Sequence, residues 1–132
     1  MFEGEKLHIY VKLLADEKIK QALKRFYYQQ CKALVEKSTS SYQSNFKTKP
    51  RSIRISDSKT TWGTCDSKQR LTFNWRLAMA PREVIDYVVV HEMCHIIHLN
   101  HYRSFWRLVG KIMPDYKEKK DWLALSNWKM IV

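Results

Sequence analysis

An α+β fold is predicted for this chain: a short antiparallel sheet packed on one buried helix, with further helices at both ends. Three observations carry the prediction. Segments 51–56 (RSIRIS) and 71–77 (LTFNWRL) alternate polar and apolar residues, as half-buried strands do. Segment 13–37 sets Ile19, Leu23, Phe26 and Leu34 at helical spacing among lysines and glutamates. Segment 86–99 (DYVVVHEMCHIIHL) is apolar enough to lie mostly buried. At 132 residues, 45% of them hydrophobic, the chain is read as one domain with a real core. Residues 1–50 form a helical N-terminal extension in this reading, and 51–132 form the core.

In chain order, Asp16 is the expected N-cap of the first helix. The polar run 38–50 (STSSYQSNFKTKP), ending in Pro50, reads as a connection. Strands 51–56 and 71–77 are expected to pair antiparallel across a long link with turn chemistry at Gly63, Asp66 and Ser67. Pro81 suits the first turn of the next helix. Val88, Val89 and Val90 have weak helix propensity, so packing must hold that helix. Phe105, Trp106, Leu108, Val109 and Ile112 fit one face of a helix over 102–112, which Pro114 ends. A last helix is expected over 116–127.

Composition excludes several classes. Three glycines and three prolines rule out collagen-like and low-complexity chains. No apolar run approaches the roughly 18 residues of a membrane span. Residues 1–12 lack the apolar centre of a signal peptide, so the cytoplasm is the expected location. Cys31, Cys65 and Cys94 are odd in number and form no CxxC pair, so reduced thiols are expected. The formal charge of +11 favours acidic partners, and weak nucleic-acid association through the basic surface is one reading of it. A solvated surface is the plainer one.

The sharpest signal is His91-Glu92-Met93-Cys94-His95. Histidines four apart on a helix share one face and can reach one Zn²⁺ at about 2.0–2.1 Å. Glu92 between them can take a proton from water activated by the metal and pass it to a leaving amine. Two unpartnered histidines in an apolar helix would be costly, which favours the metal over a packing role. An open catalytic site needs a third protein ligand. His98 follows His95 by three residues, but a continuous helix puts it about 10.5 Å along the axis from His91. Asp115, Glu118 and Asp121 lie among lysines. His101 returns to the metal if the chain turns near Leu99-Asn100, where Asn tolerates a left-handed conformation. We choose His101, since HExxHxxxxxH has the spacing of the long zinc-protease motif. That motif has glycine where this chain has His98, so the helix is free to run another turn.

Several ordered elements sharpen this: Trp62-Gly63-Thr64-Cys65, Leu71–Leu77, Pro81, YVVVHEMCH over 87–95, NHYRSFW over 100–106, and Pro114-Asp115-Tyr116. Together they resemble the YgjP-like metal-dependent hydrolases, small zinc metallopeptidase domains. The resemblance covers roughly 50–125. The chain is more distantly similar to the SprT-like and WLM proteases, which act on DNA-bound proteins. The resemblance implies a zincin-like domain, an enzyme cleaving peptide or protein substrates, zinc on His91, His95 and His101, and Glu92 as the catalytic acid/base. The alternative it leaves is a nucleic-acid-associated module, whether a protease on DNA-bound proteins or a basic domain with a non-catalytic metal.

Trp62, Trp75, Phe105 and Trp106 are expected to pack around the metal helix, the last two pinning the turn that presents His101. Strand 71–77 is either an edge that takes an extended peptide, with Asn74 and Arg76 at the substrate, or an internal strand. Tyr102 or Tyr116 is a candidate to stabilise an oxyanion. Cys65 and Cys94 are expected to be small buried side chains rather than ligands.

Overall fold

The computed structural model describes residues 2–126, with backbone alone for residues 2–11, 13 and 126. Between Phe2 and Tyr42 the sequence holds a single glycine and no proline, and one helix, α1, takes the whole stretch Phe2–Tyr42. The expected start at Asp16 is therefore wrong. A capping-type residue is a weak stop when helix formers precede it. The expected connection from 38 is also wrong in its first residues. Thr39 Oγ1 donates to the Val35 carbonyl at 2.6 Å and Ser41 Oγ to that of Lys37 at 3.0 Å, so these hydroxyls stay within the helix. Ser38 Oγ donates to Asp86 at 2.7 Å, tying the same turn to the next helix.

The packed side of α1 differs from the one its spacing indicates. Cys31 and Val35 are buried and Leu34 half-buried, while Ile19, Leu23 and Phe26 are more than half exposed. Lys24 is the first described residue of α1 to bond another element, through Asp57 at 2.6 Å. Tyr28 stacks on Trp75 at 6.2 Å.

Three strands follow: β1 (Ser52–Ser56), β2 (Gly63–Cys65) and β3 (Arg70–Asn74), in the order β1-β3-β2. The β1–β3 pair is parallel, with Ile53 opposite Leu71 and Ile55 opposite Phe73. The antiparallel expectation for it fails because β2 intervenes and reverses the chain once more. β2 itself pairs antiparallel with β3, Thr64 opposite Thr72. Asp66 closes that hairpin: its side chain accepts from Lys68 N and Arg70 N, both at 2.9 Å. Gln69 beside it takes φ 65°, which a tight turn requires.

β3 stops at Asn74, short of the expected 77. The Asn74 side chain accepts from Arg76 N at 3.1 Å and caps a 3₁₀ helix, Trp75–Met79. β3 is the central strand, so the edge-strand reading of 71–77 fails. Asn74 and Arg76 are structural: Asn74 Nδ2 donates to the carbonyls of Ser58 and Thr61, and Arg76 Nη1 donates to Asp57 at 2.8 Å.

Helix α2 (Arg82–Ile97) packs against β2 and α1, with Pro81 at its N-cap. Val88, Val89 and Val90 are at most 3% exposed, so packing does hold a stretch that propensity would not. Leu71, Phe73, Val89, Val90, Met93 and Phe105 are fully buried, each worth roughly 1.5–3 kcal/mol of transfer free energy. Helices α3 (Arg103–Ile112) and α4 (Tyr116–Ser126) complete the chain. Asn127, the expected last residue of α4, lies outside the described residues. Among the described residues no helix is long and apolar enough to cross a membrane.

Candidate metal centre

His91 and His95 stand one turn apart in the C-terminal half of α2, their ring centroids 4.9 Å apart. The helix does not run on past Ile97. His98 takes an extended conformation (φ −123°) and ends it without a glycine. No left-handed residue is needed near Leu99-Asn100, since Gln69 alone among the described non-glycine residues has positive φ. The chain turns back and α3 begins, which carries His101 to the two helical histidines.

The three rings meet through the same nitrogen. His101 Nε2 lies 2.9 Å from His95 Nε2 and 3.2 Å from His91 Nε2. His95 Nδ1 lies 2.9 Å from the His98 carbonyl oxygen. A carbonyl can only accept, so Nδ1 carries the hydrogen and Nε2 presents a bare lone pair. His91 Nδ1 lies 3.3 Å from the Tyr87 hydroxyl; when Nδ1 donates to that oxygen, its Nε2 is bare as well. One N–H on His101 cannot serve both neighbours. A fourth proton is disfavoured: burial, then the charges of His95, His101 and Lys120, push His91 down to about 3. Burial also lowers His95, against the bond to His98 that raises it. His91 and His95 are therefore held neutral and offer nitrogen lone pairs. Tetrahedral ligands about 2.0–2.1 Å from a zinc ion stand roughly 3.3 Å from one another, close to the observed spacing. These three side chains could hold such an ion, and they are the only such group among the described residues.

Phe105 and Trp106 fix the geometry, as expected. Phe105 is fully buried and stacks on His95 at 4.4 Å. Trp106 stacks on His101 at 5.8 Å and, behind it, on Tyr116 at 5.5 Å. Trp75 is buried and Trp62 packs on the core.

Glu92 lies 6% exposed beside the histidines, and burial pushes its carboxyl up to about 8. Gly63 of β2 runs directly over it. A Cβ at Gly63 would stand 3.0 Å from Glu92 Cγ and 3.2 Å from Glu92 Oε2. A cleft of about 540 Å³ opens over this group, walled by Thr60, Trp62, Val88, Trp106 and Lys120, with His91, Glu92 and His101 on its floor.

The other sequence candidates fall outside. His98 serves through its backbone carbonyl alone. Asp115 pairs with Lys119, and Glu118 and Asp121 are exposed. Neither Tyr102, 72% exposed, nor Tyr116 lines the cleft; Tyr87 does. Cys94 is buried and Cys65 half-buried, and burial pushes their thiols up to about 12 and 11. Sequence reasoning missed Tyr87, Gly63 and Lys120. Tyr87 left a signal, four residues before His91 on the same helix face.

A family model described as a YgjP-like metallopeptidase domain matches residues 2–126, so the likeness extends through α1 as well as the core. No curated protein matches the chain in sequence. Among solved structures, the metallopeptidase zymogen of Pyrococcus abyssi abylysin is similar in fold, with a TM-score of 0.60 and 23% identity, over 73% of this chain and 93% of that one.

Proposed function

Because this chain belongs to the YgjP-like metallopeptidase family, we propose that it cleaves amide bonds of peptides or proteins with one zinc ion on His91, His95 and His101 and with Glu92 as general base. The convergence of three Nε2 atoms, which a single N–H cannot bridge, is the observation that carries this reading. Zinc there supplies Lewis acidity, bringing the ionisation of water near neutral pH and polarising a carbonyl.

The protein's own groups do the rest. Glu92 takes the proton from the attacking water and returns it to the leaving amine. Its apolar surroundings keep a carboxyl basic enough for that work, pushed up to about 8. Tyr87 and the His98 carbonyl hold the δ nitrogens of His91 and His95, so the ε nitrogens stay directed inward. Phe105 and Trp106 hold the rings in place and narrow the approach of water. β2 is the sheet edge beside Glu92, and an extended peptide pairing with it would bring its carbonyls over the site.

The test is Glu92→Gln. Purified without added metal, wild type and variant are each expected to hold near one zinc per chain, and the variant to lose 10²- to 10⁴-fold in turnover, the usual range for a general base. Undiminished hydrolysis by the variant would remove Glu92 from the mechanism. Zinc-free wild type that refuses zinc would remove the metal site.

A second reading rests on residues 43–56, where Lys47, Lys49, Arg51 and Arg54 are exposed and no acidic residue intervenes. Such a stretch can lie along a nucleic-acid backbone. Binding through these four groups would weaken with salt at a log–log slope of about −3.6 on duplex DNA. A flat salt response would exclude it.

A further inference from the structure

We propose that Lys120 is a specificity residue of the cleft and that it receives a carboxylate of the substrate close to the scissile amide. The proposal deepens the peptidase reading and rests on it. Lys120 is the single lysine or arginine among the residues lining the cleft. Its ammonium sits 4.4 Å from the centre of the Trp106 ring, and that ring is stacked on His101. Lys120 is exposed, and the aromatic face draws its charge to the metal centre's rim. The neighbouring Lys119 is occupied by Asp115, whereas no ion pair engages Lys120 among the described residues. Glu92, the acid of the same cleft, is not within ion-pair distance of it.

The remaining walls are mainly Trp62, Val88, Trp106 and Leu123, with the hydroxyls of Thr60 and Thr61 at one end. A placed cation on an otherwise apolar wall selects an anion on the ligand, because an uncharged ligand leaves it unpaired on binding. For a peptide the anion is a carboxylate, from an Asp or Glu side chain or from a free C-terminus. The formal charge of +11 would steer such acidic chains toward the protein.

The experiment maps cleavage of a proteome-derived peptide library by zinc-loaded wild type, Lys120→Met, Lys120→Arg and Lys120→Glu. Wild type and Lys120→Arg are expected to favour an acidic group at one fixed position from the cut by about tenfold. Lys120→Met should lose that preference, and Lys120→Glu should turn it toward basic residues. Amidating the C-termini separates the sources: a preference that vanishes comes from the terminal carboxylate, and one that persists comes from a side chain. Binding of a Glu peptide and its Gln counterpart to zinc-loaded Glu92→Gln gives a second readout without turnover. Tighter binding of the Glu peptide, lost on adding Lys120→Met, supports the assignment. Cleavage with no acidic preference, or a preference indifferent to residue 120, overturns it and leaves the peptidase reading intact. A zinc-loaded wild type that cleaves nothing would count against the peptidase reading, and equal binding of the two peptides would still overturn the role of Lys120.

Discussion

Two polar clusters of this molecule, around Asp57 and around His91, are built on opposite rules. Around Asp57 the groups are matched, except that Arg76 Nε is buried without a partner. Its carboxylate receives Lys24 at 2.6 Å, Arg76 at 2.8 Å and the Trp75 indole N–H at 3.1 Å. Asn74 beside them uses its amide in both directions. Around His91 the groups are left unmatched: three ring nitrogens converge on one point, and the buried Glu92 carboxyl alongside makes no hydrogen bond among the described residues. A satisfied cluster locks elements together, here α1 and the 3₁₀ helix onto the link after β1. An unsatisfied one is tolerated where a ligand completes it.

Variants that break one cluster should leave the other alone. The largest effect is expected from His101→Ala, which leaves two ligands and should weaken zinc binding at least roughly 100-fold by competition with a chromophoric chelator, with little change in metal-free stability. Next comes Tyr87→Phe. Freeing His91 Nδ1 should lower zinc affinity about tenfold, and unchanged affinity would show that Phe105 alone orients the ring. Asp57→Ala should cost about 2–3 kcal/mol in chemical denaturation, since it strands a buried guanidinium, while zinc affinity holds. The smallest is a pH effect. Lys24, the Trp75 indole and Arg76 hold the Asp57 carboxyl well below the usual carboxylate range. A carboxyl depressed in the folded state gives its full stabilisation above the unfolded value near 4. It loses it as pH falls through the folded value. Wild type should therefore lose more stability than Asp57→Asn between pH 4 and pH 2. Parallel curves would mean that the pairing is screened by solvent.

The difference between the clusters also marks what the sequence could reveal. Ligands one helical turn apart follow from the 3.6-residue period, so His91, His95 and Glu92 were legible as a unit. His101 was legible through its spacing, although the turn that delivers it is made without glycine. Tyr87 left only its spacing one turn before His91, and Lys120 left nothing, because nothing local distinguishes a lysine over Trp106 from surface residues. The direction of β1 against β3 depends on β2, whose three residues, Gly63–Cys65, are too few for an alternation to show. The length of α1 was hidden by Ser38, Thr39 and Ser41, hydroxyl residues that usually signal a loop and here bond within or across helices.

The close passage of β2 over Glu92 has a consequence for what this position can be. Gly63 has no positive φ, so backbone freedom is not the reason for a glycine there. The reason is clearance: even a methyl group would stand 3.0 Å from Glu92 and 3.1 Å from Val88. Gly110, where a Cβ would meet only the Tyr116 ring at 3.4 Å, has no such demand on it. Saturation of both codons under selection for turnover should return glycine alone at 63 and a mixture with alanine at 110. Residue 63 is in effect a spacer gauge, setting by its missing side chain how near the strand may come to the acid.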